Sequence, residues 1–361
     1  MKASLAGRLL ISCAIVSASC LGLAMGPDNQ FGSQIQAVRI FFTDVNGNPQ
    51  FSGTGTVIDN RNVNGQGYFC VLTADHVIAN GGPTGNVKNG LGIAFGNLNG
   101  FDATYFPSNS NFMAANLVGR LGPGANPTVD MAVLSVNYGA YNANYNKFTL
   151  GLSGANQLGV GSIFSADGFG RPATPLIEAN QRPGGIPSGG MWWNGYVGQP
   201  VDGFQRYLYN RVDALPNVDD TFLADTSDGS VVPYGGDQPA DNPRQGYAYS
   251  GVQWDLTSPD LPNVVNGEGV TRGGDSGAPY LLSVGNTQLI AGIHTYGYSL
   301  IENGQTSQKV TWGSQAGGVL LTPAYQTWIQ QQCASVPEPC SLLAIGGGAL
   351  ALLARRRRIR R

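Results

Sequence analysis

Three short motifs carry side chains that could act together in nucleophilic catalysis. His76 follows Leu-Thr-Ala-Asp, Asp130 precedes Met-Ala-Val-Leu, and Ser276 lies within Gly-Gly-Asp-Ser-Gly-Ala-Pro. A serine hydroxyl is a weak nucleophile at neutral pH and needs a hydrogen-bonded base, for which histidine is suited because it titrates near that pH. A buried carboxylate fixes the imidazole tautomer and stabilises the imidazolium. The motifs therefore predict Ser276 as nucleophile, His76 as general acid and base, and Asp130 as the orienting acid.

The glycine-rich turn predicts an oxyanion hole, and the order of the motifs excludes one class of hydrolase. We expect the backbone N–H groups of Gly274 and Ser276 to face a developing oxyanion. An α/β-hydrolase needs serine, then acid, then histidine. The chain has the order His76, Asp130, Ser276, and no Asp or Glu separates Ser276 from the later His294.

These motifs lie on or beside predicted β-strands. The 53 glycines and 21 prolines indicate many turns, and short apolar runs recur between them. A single amphipathic helix is predicted over residues 322–333. The predicted strands are residues 37–42, 53–58, 68–73, 131–136, 162–166, 279–284 and 289–294. The pattern indicates an all-β protein.

The region 174–250 differs from the rest of the chain. It is rich in Gly, Pro, Asn and Asp with aromatic residues between them. That composition is typical of loops, so we interpret it as long insertions within one domain and not as a separate domain.

Composition excludes several classes of protein. Hydrophobic residues make up 42% and charged residues 12% of the 361 residues, and no heptad, collagen-like or long polar repeat occurs. Acidic residues outnumber basic ones once the terminal arginines are set aside, so we expect no nucleic-acid partner. Two histidines and five cysteines are too few for a zinc-finger type of site, and the chemistry above needs no metal or organic cofactor.

Both ends of the chain have the pattern of targeting segments. Residues 1–24 combine early basic residues with an apolar run and a small-residue end, which predicts a secretory signal peptide. Near the other end, Val-Pro-Glu-Pro at 336–339 precedes an apolar stretch at 342–354, and six of the last seven residues are arginine. A short apolar span followed by arginines predicts a membrane anchor with a cytoplasmic end.

This C-terminal order resembles the PEP-CTERM sorting signal of Gram-negative bacteria, over residues 336–361. The resemblance implies an exosortase-type enzyme that recognises Pro-Glu-Pro and removes the hydrophobic tail. It predicts a protein exported to the bacterial cell surface or extracellular matrix and held at the membrane transiently through its C-terminus. A plain C-terminal membrane anchor is the alternative.

Two cysteines, Cys70 and Cys333, belong to the body of the protein. Export permits a disulfide between them, which would close a very long loop. Two buried free thiols are an equally good interpretation.

The three catalytic motifs together resemble those of chymotrypsin-like serine proteases. Thr-Ala-Asp-His at 73–76, Asp-Met-Ala-Val-Leu at 130–134 and Gly-Asp-Ser-Gly-Ala-Pro at 274–279 occur in that family's order. The resemblance implies two six-stranded antiparallel β-barrels, over residues 35–150 and 151–334, with a C-terminal helix and the catalytic groups between the barrels. Ala278 departs from the family, which usually has a second glycine there.

The resemblance also implies residues of the substrate pocket. Val270 occupies the base of the primary pocket, where trypsin-like enzymes have an acid, so recognition of Arg or Lys is not expected. Thr271 and His294 resemble the pair that binds the substrate carboxylate in glutamyl endopeptidases, which implies a preference for Glu. The alternative is that His294 points into the barrel and bonds to a backbone carbonyl.

A further implied feature is the strand that binds the substrate backbone. By the family's pattern, Thr295, Tyr296 and Gly297 present an extended peptide as an added β-strand. The prediction is an exported serine endopeptidase acting on protein or peptide substrates. The alternative is a catalytically inactive binding protein of the cell surface on the same scaffold.

Overall fold

The computed structural model consists of two curled antiparallel β-sheets and a short C-terminal helix, which confirms the predicted fold class. The hydrogen-bonded order of each sheet contains seven strands, whereas the resemblance implied six. A two-residue edge strand extends each sheet, Met113–Ala114 in the first and Asn217–Val218 in the second. The structure describes residues 36–80, 85–95, 113–121, 128–154, 158–170, 173–176, 195–198, 205–218, 231–233, 247–255, 265, 269, 271, 273–300, 309–311 and 315–335.

The first sheet contains the strands that lead to two of the predicted catalytic residues. Its hydrogen-bonded order is β5-β4-β1-β2-β3-β7-β6. The strands are β1 (Ala37–Thr43), β2 (Pro49–Val63), β3 (Gln66–Thr73), β4 (Gly92–Phe95), β5 (Met113–Ala114), β6 (Asn116–Arg120) and β7 (Ala132–Ala140). A single-turn helix, α1 (Asp75–Ile78), follows β3, and a 3₁₀ helix covers Ala143–Phe148.

The second sheet carries the serine turn and the predicted substrate strand. Its order is β12-β9-β16-β17-β19-β15-β13, and β8 and β14 both pair with β17. Its strands are β8 (Gly151–Leu152), β9 (Ile163–Gly168), β12 (Arg206–Arg211), β13 (Asn217–Val218), β14 (Val231–Pro233), β15 (Tyr249–Asp255), β16 (Pro279–Val284), β17 (Thr287–Leu300) and β19 (Gln315–Leu320). A small third sheet joins β10 (Ala173–Leu176), β11 (Gly195–Gly198) and β18 (Lys309–Thr311).

Each predicted strand overlaps an observed strand, with at most one predicted residue outside it, but several observed strands are longer, such as β2 with 15 residues and β17 with 14. The described part of region 174–250 differs from the loop prediction, because β12 pairs there with β9 over six residues. Burial alternates along this strand, with Leu208 and Asn210 buried and Tyr209 exposed, but the sequence Arg-Tyr-Leu-Tyr-Asn-Arg does not alternate polar and apolar residues, so its pattern did not indicate a strand. The residue boundaries of the two barrel domains remain a prediction.

The strand period of two divides the core. On β3, Phe69 and Val71 pack inside the first sheet, whereas Cys70 and Leu72 point to a second cluster. That second cluster also contains Leu281 and Ile293 of the second sheet and Ile329 of the C-terminal helix. It is therefore the apolar interface between the two sheets. The second sheet has its own core around Trp254, Phe164 and Tyr280.

The C-terminal helix, α2 (Pro323–Ala334), begins where the sequence predicts. Thr322 accepts a hydrogen bond from the Tyr325 N–H as the N-cap, and Pro323 occupies the first turn. The helix is covalently joined to the first sheet, because Cys333 and Cys70 form a disulfide with their Cα atoms 5.7 Å apart. The disulfide, and not the pair of free thiols, is therefore the correct alternative.

Several predictions lie outside the described residues. These are the signal peptide, the C-terminal apolar stretch with its arginines, and Val270. Within the described part of the chain, no helix is long and apolar enough to cross a membrane.

Candidate active site

Antiparallel pairing of β3 with β7 brings His76 and Asp130 to the same end of the first sheet. Thr73 pairs with Ala132, so the residues after β3 lie beside those before β7. The Nδ1 atom of His76 lies 2.7 Å from Oδ2 of Asp130, and the His76 backbone N–H donates to Oδ1 at 3.0 Å. The Asp130 side chain is fully buried, and that of His76 is 11% exposed. The carboxylate thus binds both the ring and the backbone of the histidine.

The turn that holds Ser276 packs against β2 and the residues just before His76. Thr54 donates its N–H to the Ser276 carbonyl at 2.8 Å. Gly277 has a φ of +85°, and a Cβ there would clash with the Thr54 carbonyl and the Thr73 hydroxyl. Only glycine therefore allows this turn to approach the strand end that leads to His76.

A second glycine lets the serine turn and helix α1 share one position on β2. A Cβ on Gly53 would lie 2.8 Å from the Ser276 carbonyl oxygen and 2.8 Å from Cγ2 of Val77. Both groups therefore contact the same point of β2, and Val77 directly follows His76. The structure brings His76 and Asp130 into direct contact and places the Ser276 turn against the same corner of the sheet interface.

Hydrogen bonds within the serine turn orient its peptide planes. The Asp275 carbonyl accepts from the Ala278 N–H at 2.7 Å, and the Gly274 carbonyl accepts from the Thr54 hydroxyl at 2.9 Å. Because N–H and C=O point in opposite directions across a planar trans peptide, the Ser276 N–H faces away from Ala278. The carboxylate of Asp275 is buried and accepts from the Gly170 N–H at 2.6 Å.

A buried ion pair that no sequence motif indicated directly precedes His76. Both carboxylate oxygens of Asp75 accept from Arg120, at 2.5 and 2.7 Å, and the Tyr247 hydroxyl donates to Oδ2 at 2.6 Å. Burial raises the pKa of Asp75, and the hydrogen bonds from Arg120 and Tyr247 oppose that shift. A buried carboxylate at the end of a strand predicts a nearby cation, but the sequence does not identify the residue that supplies it.

Hydrogen bonds also fix Val77, the residue after His76. The Val77 carbonyl accepts from the Ser52 hydroxyl at 2.5 Å and from the Lys88 ammonium at 2.9 Å. Burial lowers the pKa of Lys88 to about 8. His76 therefore lies between two anchored neighbours, which limits the freedom of its backbone.

The structure brings together the predicted pair Thr271 and His294. The Thr271 hydroxyl lies 3.1 Å from Nδ1 of His294, and the Tyr280 hydroxyl, which the sequence analysis did not identify, lies 3.0 Å from the same atom. All three residues are buried. Two hydroxyls thus lie within hydrogen-bond distance of Nδ1, and the imidazole also lies beside the Trp254 ring, with 6.1 Å between the ring centroids. The choice between a substrate-binding histidine and one that points into the barrel stays a prediction.

The predicted substrate strand pairs with β19 along one edge. Tyr296 and Gly297 pair with Gly317 and Ala316 of β19. On the opposite edge of β17, β16 pairs up to Ile293, and β14 pairs from Tyr298 onward. Thr295, Tyr296 and Gly297 lie between these two pairings. Their role in binding an extended peptide stays a prediction.

Comparisons with known proteins identify the C-terminal signal. Residues 335–358 match the PEP-CTERM protein-sorting motif, which confirms that prediction and indicates export and sorting to the cell surface with a C-terminal anchor. The motif implies recognition by an exosortase-type processing enzyme. No curated protein matches the chain. A solved structure titled "Structure of GrC" is 14% identical, with a TM-score of 0.44, over 86% of this chain and 98% of that chain.

Proposed function

We propose that the protein is an exported serine endopeptidase that acts at the bacterial cell surface or in the extracellular matrix. The observation that carries this proposal is the contact of 2.7 Å between His76 Nδ1 and the buried Asp130, beside the turn that bears Ser276. A buried carboxylate on the ring nitrogen that faces away from the serine is the arrangement that activates a hydroxyl nucleophile.

The mechanism follows from this arrangement. Nδ1–H donates to Asp130, so Nε2 accepts the proton of the Ser276 hydroxyl as its oxygen attacks the peptide carbonyl carbon. The N–H groups of Gly274 and Ser276 stabilise the oxyanion. His76 then donates the proton to the leaving amine, and an ester remains on Ser276. Water attacks the ester with His76 as base, and the acid product leaves.

A fluorophosphonate probe tests the nucleophile directly. We expect the wild-type protein to be labelled on Ser276, which mass spectrometry of the modified peptide would identify. Ser276→Ala should abolish labelling, and Ser283→Ala should retain it, because Ser283 is an exposed serine on β16. Equal labelling of Ser276→Ala and wild type would show that another residue reacts and would overturn the role of Ser276. A wild-type protein that the probe does not label would favour the inactive binding protein.

We further propose that the enzyme prefers Glu on the acyl side of the scissile bond. The contact between Thr271 and His294 supports this, because a hydroxyl and an imidazole can both donate hydrogen bonds to a carboxylate and both side chains are buried. The Tyr280 hydroxyl on Nδ1 of His294 would hold the imidazole in place.

Paired peptides that differ only in Glu or Gln at that position test the preference. For Thr271→Val, we expect kcat/KM to fall about tenfold for the Glu peptide and less than about twofold for the Gln peptide, because one hydrogen bond to a charged group is lost. Thr287→Val is the matched control, since Thr287 is exposed at the far end of β17. Efficient cleavage after Phe or Lys with none after Glu would refute the preference.

A further inference from the structure

Two tyrosines at the start of β15 contact both sides of the candidate active site. Tyr247 donates its hydroxyl to Asp75, the residue before His76, at 2.6 Å. The Tyr249 hydroxyl lies 2.6 Å from the hydroxyl of Thr295 on the proposed substrate strand. Both tyrosines are buried. Their separation of two residues is the spacing that places side chains on one face of an extended chain.

Ala248, the residue between the tyrosines, contacts the segment that leads to Asp130. Ala248 donates its N–H to the Thr128 carbonyl at 2.7 Å, two residues before Asp130. Three consecutive residues, which lead into β15 of the second sheet, therefore contact the segments that carry the proposed base, the orienting acid and the substrate strand. The described structure thus holds these three segments through one short stretch of chain.

The geometry of Tyr247 makes it a spacer between the two sheets. Its hydroxyl shares Oδ2 of Asp75 with Arg120, and Arg120 belongs to β6 of the first sheet. A phenol ring has only two side-chain torsions, so a buried, hydrogen-bonded tyrosine fixes a distance at low entropic cost. Asp75 and His76 are adjacent in one turn of helix, so a shift of the carboxylate would shift the imidazole.

We propose that Tyr247 and Tyr249 are positioning residues, Tyr247 for the general base and Tyr249 for the substrate strand. This inference rests on the proposed protease function. The two contacts should have different effects. Loss of the Tyr247 contact should alter the position of His76 without altering substrate binding. Loss of the Tyr249 contact should loosen Thr295 without altering the attack of Ser276.

The test compares Tyr247→Phe and Tyr249→Phe, each of which removes one hydroxyl and retains the ring. For Tyr247→Phe, we expect kcat and the rate of fluorophosphonate labelling to fall about tenfold, with KM within about twofold of wild type. For Tyr249→Phe, we expect KM to rise about fivefold, with the labelling rate within about twofold of wild type. Tyr209→Phe is the control, because Tyr209 is a partly exposed tyrosine on β12.

The outcomes distinguish this inference from the proposed function. A labelled wild type with both variants unchanged, or with the same change of kcat and KM in both, would overturn the positioning roles alone. A wild-type protein that the probe does not label on Ser276 would overturn the protease function and this inference with it. Thermal unfolding of each variant shows whether a loss of rate accompanies a loss of folded protein.

Discussion

Asp130→Asn is expected to lower kcat for peptide hydrolysis by about 10⁴-fold while the protein remains folded. The structure supplies the reason. The His76 backbone N–H donates to Oδ1 of Asp130, so the oxygen of an asparagine would stay at that position. The amide NH₂ would then face Nδ1, which must become the acceptor, and Nε2 would carry the proton. A protonated Nε2 cannot accept the proton of Ser276.

The measurement is the steady-state rate on a cleaved peptide, with circular dichroism as the check on the fold. Asp59→Asn serves as the matched control, because Asp59 is an exposed carboxylate paired with Arg61 at 3.7 Å. We expect this control to retain wild-type activity, since surface ion pairs contribute little. A loss of less than tenfold for Asp130→Asn would show that Asp130 does not orient the base.

Loss of the disulfide between Cys70 and Cys333 is expected to lower the free energy of unfolding by about 5 kcal/mol. The bond joins residues 263 positions apart, and closing so long a loop restricts the unfolded chain strongly. It also ties α2 to β3, the strand that leads to His76. Because domains are stable by only about 5–15 kcal/mol, this bond is a large share of the total.

Guanidinium unfolding of the wild type and of Cys70→Ala/Cys333→Ala would measure the effect. Both cysteines are buried, so we expect a mild reductant to leave the bond intact in the native protein and to break it after unfolding. Wild type unfolded with reductant should then match the double variant. A difference of less than about 1 kcal/mol between oxidised and reduced protein would contradict this account. A structural disulfide also agrees with the export that the sorting motif indicates.

The unpredicted contacts have one feature in common, which is that each joins residues of different structural elements. Asp75 and Tyr247 are 172 residues apart, and His294 and Tyr280 meet across a bulged pair of strands. Tyr247 and Tyr249 also lie in the region 174–250 that was interpreted as loops, where no local pattern indicated a buried role. The sequence could not distinguish a disulfide from two free thiols, because the spacing of cysteines does not determine how closely two segments of one chain approach each other.

The sequence by itself determined the features that depend on local pattern and residue chemistry. Short apolar runs between turn-forming residues predicted the strands, Thr322 and Pro323 mark the start of the helix, and the C-terminal segment predicted the sorting motif. The types and order of His76, Asp130 and Ser276 suggested their proposed roles. Only the tertiary structure decided which groups meet: it paired Asp130 with His76, Arg120 and Tyr247 with Asp75, and Cys70 with Cys333. The physical reason is that strand register and the packing of two sheets set these distances, and both arise from the whole chain.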